Sequence, residues 1–263
     1  MTDKIDKLLA EAESKQIQDL KKDNLRLLKQ LDKAKNKKED MINAVYDAVN
    51  INLKLWDKPK IPKPKNIKKS KDEEIAIAIL SDIQLAKVTP DYNTEVAEER
   101  VIKYANKIVD LANIQRQVHT VNKCAVFAAG DIIEGELIFP GQSHLIDSSL
   151  YKQVTVDGPR IMTQFFDILL ANFDEVDVHW VIGNHGHLGG RARKDYHPDS
   201  NADRMLGSIM SMIYRDEKRI KWTIPDSTGD NHWFDIADLG PKSRFFIWHG
   251  DNVRGFNGFP WYG

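Results

Sequence analysis

Asp82 and Gln84 stand just after the apolar run IAIAIL, Asp131 after CAVFAA, Asn184 and His185 after VDVHWVI, and His249 after FFIW. Carboxylate oxygen, amide oxygen and imidazole nitrogen are borderline-to-hard donors, suited to Mn, Fe, Zn or Mg rather than to thiophilic metals. A carboxylate shared between two cations roughly 3.5–4 Å apart offsets their mutual repulsion, and such a pair can clamp the attacking and leaving oxygens of a phosphoester displacement. The chemistry these residues imply is therefore metal-assisted hydrolysis. Each motif alone has a plain alternative, because Asp and Asn after a strand also cap turns. Their shared placement is what points to a site.

The positioning elements follow from the apolar patterning. IAIAIL, KCAVFAA and VDVHWVI predict buried strands, TEVAEERVIKYANKIVDLANIQRQ a helix with Val101, Ala105, Ile108, Leu111 and Ala112 inward, and YKQVTVDGPRIMTQFFDILLANF a helix after Pro159. NADRMLGSIMSMIYR predicts a further helix capped by Asn201 or Ser200, followed by strands near RIKWTI, HWFDIA and RFFIWH. The motifs are separated by 49, 53 and 65 residues (82 to 131, 131 to 184, 184 to 249), too long for hairpins and long enough for crossovers. The expected fold is α/β: a βαβ core of mixed sheets flanked by helices. In such a sheet the strand carboxyl ends face one crevice, where residues distant in sequence can meet a ligand. The aromatics Trp233, Phe245, Phe246 and Trp248 are expected in the sheet core, as is the single cysteine, Cys124.

In order, D-I-Q (Asp82, Gln84), G-D-I-I-E (Gly130 to Glu134), G-N-H-G (Gly183 to Gly186) and W-H-G (Trp248 to Gly250) resemble the D-x-H, G-D-x-x-D/E/G, G-N-H-D/E and lone-H motifs of the calcineurin-like metallophosphoesterases. The resemblance spans roughly residues 74 to 263. It implies that Asp82 and Gln84 bind a first metal, that Asp131 bridges two, and that Asn184 and His249 bind the second. It also implies that His185 faces the scissile phosphate, stabilising charge or protonating the leaving oxygen, with Asp131 part of the catalytic machinery. Two divalent ions are expected, Mn foremost, with Fe, Zn or Mg as alternatives.

This chain departs from the family pattern at three places. Gln84 stands where the family has His, Gly186 where it has an acid, and no G-H-x-H follows His249. The last departure gives the expectation that the phosphoesterase domain, 72–263, is incomplete at its carboxyl end. Glu134 is followed by Gly135-Glu136 rather than the Arg-Gly of the Ser/Thr protein phosphatases. GDIIEGELIFPGQ is similar instead to the second motif of the archaeal D-family DNA polymerase small subunit, and GNHGHLGGRARK to the third motif of phage-type members. These likenesses imply a nuclease, an exonuclease acting on DNA. His187, Arg191 and Arg193 are the candidate substrate contacts.

Charge is divided unevenly. Residues 1–71 carry 19 Lys+Arg against 11 Asp+Glu, leaving 19 against 28 for the remainder. Residues 4 to about 56 lack Pro and Gly and fit heptads from Ile17 through Leu20, Asn24, Leu27 and Leu31, so residues 1–57 are expected to form a coiled-coil helix that makes a homodimer. An amphipathic helix packed on its own domain is the alternative. KPKIPKPKNIKKSK, residues 58–71, has three prolines and seven lysines and is expected to be a stiff cationic linker. Clustered cations attract a polyanion without reading its sequence. The charged amino terminus, the absence of a long apolar stretch and the lone cysteine give the expectation of a cytoplasmic protein without membrane attachment. Phosphomonoester hydrolysis and a non-catalytic assembly role are the two functional alternatives.

Overall fold

The structure is a computed structural model that describes residues 29, 61–64, 73–189, 197, 199–226, 232–241 and 243–251, and the backbone of 254–256 and 259–261. The chain divides into two units, Met1–Trp56 and Asp57–Gly263, of which the second carries everything below. The expected coiled coil of 1–57 and linker of 58–71 lie, apart from residues 29 and 61–64, outside the described residues.

Strands β1 (Glu73–Leu80), β2 (Thr120–Ala129), β3 (Glu175–Val181) and β4 (Ile220–Thr223) form one sheet in sequence order. Every pairing in it is parallel. Among the described residues, the longer helices in the intervals between them are α1 (Thr94–Gln115), α2 (Gly158–Leu170) and α3 (Ala202–Ile213). The fold class is thus α/β. Antiparallel pairing between strands is confined, among the described residues, to β5 (Phe234–Asp238) with β6 (Arg244–Trp248) and β7 (Arg254–Phe256) with β8 (Phe259–Trp261), apart from isolated bridges in the loops.

Local chemistry sets the helix starts. Asn93 caps α1 by accepting from the Val96 N–H, and Asn201 caps α3 by accepting from the Asp203 and Arg204 N–H groups. Helical structure begins earlier than Pro159, with a turn at Leu150–Lys152 and a π-helical stretch at Gln153–Asp157. Pro159 sits in the first turn of α2, directly after the π-helical stretch that ends with Gly158 N–H donating to Gln153 O.

The sheet has two unlike faces. Ala78, Val126, Val178 and Trp180, all fully buried, turn toward the helices. On the other face Ala125, Phe127 and Val181 receive Ala237 and Ile247 from the β5–β6 hairpin. The hairpin covers β2 and β3 and leaves β1 open there, so Ile77 and Ile79 are 38% and 60% exposed. The expected core burial of Phe245 and Phe246 is not found, since they are 36% and 46% exposed. Only one hairpin face packs inward, and Phe246 lies on the other, stacked on Phe234 at 4.8 Å. Leu111, expected inward on α1, is also exposed, whereas Val101, Ala105, Ile108 and Ala112 are buried. Cys124 is buried, and that burial pushes its thiol up to about 12.

Candidate metal centre

Parallel register aligns the carboxyl ends of the strands: Leu80 pairs with Ala128, and Ala129 with Val181. The next residues are therefore the loops carrying Asp82, Asp131 and Asn184. They are stitched backbone to backbone, with Asp82 N–H donating to Gly130 O at 3.2 Å and Gln84 N–H to Asp131 O at 2.9 Å. Glycine is required by the closeness of this contact. A Cβ on Gly130, whose φ is +85°, would lie 2.7 Å from Gly183 Cα, and one on Gly183 would lie 2.1 Å from Asp131 Oδ1. Non-glycine residues in the left-handed region also gather here, at Asp82, Gln84, Ala86 and Asp131, with φ between 49° and 82°. Such strain, typically about 1–3 kcal/mol per residue, persists only where surrounding structure fixes it.

The fourth ligand arrives differently from the others. His249 follows β6, so it belongs to the docked hairpin rather than to the parallel sheet. Its Nδ1 lies 2.9 Å from Ala129 O, which orients the ring as a donor there. Its Nε2 then lies 3.0 Å from Asn184 Oδ1 and 3.1 Å from Asp131 Oδ2. Without a cation Nε2 donates to these oxygens; once it gives up that proton to a metal, donor atoms of three residues are available at this point. Ligand atoms about 2.1 Å from one cation and 90° apart sit about 3 Å from each other, a spacing that these hydrogen-bonded contacts share. Atoms of Asp82, Asp131 and His249 all fall within 4.8 Å of one another. The donor set thus fits a divalent cation held by Asp82, Asp131, Asn184 and His249.

The electrostatics agree with that arrangement. Asp131 is buried, which alone would raise its pKa, yet His249 and the His185 N–H hold it below the usual carboxylate value. Conversely, Asp131 raises His249 to about 9 against the opposing effect of burial. Here the imidazolium plays the part a metal cation would take.

His185 stands beside the cluster. Its N–H donates to Asp131 Oδ1 at 2.8 Å, and its ring Nδ1 lies 3.1 Å from Glu134 Oε2 and 3.2 Å from Glu134 O. Glu134 thereby supplies the orienting group that Gly186 does not. Hydrogen bonding to Glu134 raises the His185 pKa despite burial, with Asp131 adding to the effect. Nε2 is 3.9 Å from Asp131 Oδ2. The shift is toward the imidazolium form, the form that can protonate a leaving oxygen.

The remaining sequence candidates divide. Gln84 stands on the Asp82 loop, and its Oε1 accepts from Lys87 Nζ at 2.5 Å. His187 follows on the His185 loop, where it bridges to Asn201. Arg191 and Arg193 lie outside the described residues.

Two residues with central positions are absent from the sequence-level candidates: Glu134 and Asp203. The fully buried Asp203 carboxylate accepts from Asp131 N–H and Gly183 N–H at 2.9 Å through Oδ2, and from Ile133 N–H at 3.0 Å through Oδ1. Its backbone carbonyl accepts from Trp180 Nε1 at 2.8 Å. Burial, with Asp131 adding, raises its pKa to about 6 against those three N–H bonds. The only sequence signal was an acid in the first turn of a helix, a common solvated feature. Glu134 had the stronger signal, as the last residue of G-D-I-I-E. Gln142, itself buried, holds it in place by donating to Glu134 O and Oε1 at 2.9 and 3.0 Å.

No described helix is long and apolar enough to cross a membrane. No family model, curated protein or solved structure matches the chain.

Proposed function

We propose that this chain is a divalent-metal-dependent phosphoester hydrolase of the calcineurin-like kind, acting on phosphodiesters and most readily on DNA. One observation carries the reading: the side-chain oxygens of Asp131 and Asn184 meet His249 Nε2 at 3.1 and 3.0 Å beside a separately oriented His185. A cation bound there would polarise a phosphoryl oxygen and lower the pKa of a coordinated water.

The protein's own part is positional. Asp131 gives Oδ2 to the cluster while its Oδ1 holds the His185 backbone, so one side chain sets both cation and acid. Glu134 aims the His185 ring and favours its protonated form, ready to deliver a proton to the departing alkoxide. The left-handed loops fix this geometry before substrate arrives, which reduces the reorganisation needed in the transition state.

The DNA preference rests on charge. The excess of cations in residues 1–71, with Arg191, Arg193 and Lys194 after the third motif, attracts a polyanion. The reading is tested by turnover of bis-p-nitrophenyl phosphate, p-nitrophenyl phosphate and DNA with Mn²⁺ added. Hydrolysis of the diester and DNA is expected, falling by about 10³-fold or more in Asp131→Ala. Full activity in that variant overturns the mechanism, and cleavage of the monoester alone reassigns the substrate.

A further inference from the structure

Gln84 occupies the position at which the resemblance places a first-metal ligand, and its coordinating atom is already engaged. Oε1 accepts from the Lys87 ammonium at 2.5 Å. The contact is built into the loop. Gln84 has φ +49°, its N–H donates to Asp131 O, and the Lys87 N–H closes a turn onto Gln84 O at 3.0 Å. Lys87 is half-buried in this turn.

A neutral amide oxygen is a weaker donor to a transition metal than imidazole, and one shared with an ammonium is weaker still. A divalent ion on the same oxygen would also sit beside a fixed positive charge, and in a partly desolvated site that repulsion is poorly screened. Among the described residues, Asp82, Asp131 and His249 offer atoms within 4.8 Å of one another, and Gln84, the further donor of the first motif, gives its oxygen to Lys87. Among the described residues, the donors not held by an ammonium fit one cation.

We propose that this centre takes a single divalent cation, on Asp82, Asp131, Asn184 and His249, and that Lys87, fixed by Gln84, supplies the second positive charge toward the substrate phosphate. The inference rests on the hydrolase reading and names a catalytic residue within it. Lys87 faces the space a substrate would use: an open groove of about 520 Å³ is lined by Asp82, Gln84, Lys87, Tyr92 and Arg100 among others. Arg100 stacks over the Tyr92 ring at 5.2 Å, so the groove wall offers a second cation and an aromatic face beside the centre. A phosphate bound between the cation site and Lys87 would have its ester substituent in that groove.

Manganese alone is the probe. Purified protein equilibrated with Mn²⁺ is assayed for bound metal by elemental analysis and by electron paramagnetic resonance. One Mn²⁺ per chain with the spectrum of an isolated ion is expected. Two per chain with a spin-coupled spectrum overturns the single-cation inference and leaves the hydrolase reading standing, whereas no bound Mn²⁺ overturns both. Lys87→Ala tests the second half: its Mn²⁺ affinity should rise several-fold as repulsion is relieved, while diester turnover falls by about 10²-fold. Lys87→Arg should retain most of that turnover. Unchanged turnover in Lys87→Ala, or weaker Mn²⁺ binding, sinks the assignment of Lys87.

Discussion

The loops that carry Asp82, Asp131 and Asn184 and the hairpin that carries His249 reach the same point by different means. The loops are joined through backbone hydrogen bonds and through the single carboxylate of Asp203, so their relative positions are set by main-chain geometry. The hairpin is held on the sheet by side chains, with Ala237 and Ile247 against Phe127 and Val181, and with the His179–Asp235 contact of 2.6 Å. The loop half of the centre is therefore preorganised by the fold, while the hairpin half is a docked ligand whose position depends on packing and charge. A metal site divided this way should fail in two distinct manners, abruptly when the loops are disturbed and gradually when the hairpin is.

The largest effect is expected from Asp203→Ala. Three buried N–H groups lose their acceptor at once, and each unsatisfied donor costs about 1–3 kcal/mol. A stability loss of about 3–6 kcal/mol, read by chemical denaturation, should accompany complete loss of Mn²⁺ binding. Asp203→Asn keeps one acceptor oxygen and should lie between the two. A stable Asp203→Ala variant with intact metal affinity would show that the loops hold themselves, and the contrast with the hairpin would disappear.

His185→Gln probes chemistry on the rigid half without disturbing it. The ring is anchored to Glu134, but the backbone N–H that holds Asp131 remains in the variant. Diester turnover should fall by about 10²- to 10³-fold, the usual contribution of a positioned acid, with Mn²⁺ affinity and stability little changed. Glu134→Gln should reduce the protonated fraction of the acid rather than remove it, moving the alkaline limb of the rate profile to lower pH, since Glu134 is the main cause of the raised His185 pKa. A fall in metal affinity equal to the fall in turnover would mean that His185 acts on the cation site instead.

The strand ends were legible in the sequence because continuous apolar runs terminate in polar residues, and three of four motifs do lie at carboxyl ends of one parallel sheet. The fourth motif reads identically yet belongs to an antiparallel pair, because a short apolar strand looks the same in either setting. Asp203 was hidden for another reason. Its partners are 20, 70 and 72 residues away, and nothing local distinguishes a buried acid in a first helical turn from a solvated one. The link between Lys87 and Gln84 spans only three residues, but it depends on a backbone in the left-handed region that neither residue type announces. Phe245 and Phe246 were assigned to the core on hydrophobicity alone, when the period-two alternation of β6 already put only one of two neighbours inward.

The hairpin's charge contact gives a graded, pH-dependent test. Burial disfavours protonation of His179, but the carboxylates of Asp177 at 3.7 Å and Asp235 at 2.6 Å outweigh it and raise its pKa to about 9 from 6.5. A folded-state pKa above the unfolded value means that the contribution is complete below pH 6.5 and is lost as pH rises through about 9. Stability should thus decline by about 1–3 kcal/mol between these limits, and His179→Gln should flatten the decline. Mn²⁺ affinity, measured for both proteins at the same pH, should drop several-fold in His179→Gln as His249 loses its support. Unchanged affinity would place the hairpin's anchorage entirely in its apolar contacts.

The smallest effect separates the two faces of the hairpin itself. Phe246 lies on the outer face, where it meets Phe234 at 4.8 Å and Trp248 at 4.9 Å, whereas Ile247 is buried against the sheet. Ile247→Ala empties a core position and should cost about 2–4 kcal/mol. Phe246→Thr removes only ring contacts on a half-solvated surface and should cost about 0.5–1.5 kcal/mol. It should leave Mn²⁺ affinity where it was, because neither Ala237 nor Ile247 shifts and His249 keeps its bond to Ala129 O. The informative comparison is affinity rather than stability. If Phe246→Thr weakens metal binding as much as His179→Gln does, the outer aromatic cluster sets the twist of β6 and thereby the approach of His249, and the hairpin is positioned by its own stiffness more than by its seat on the sheet.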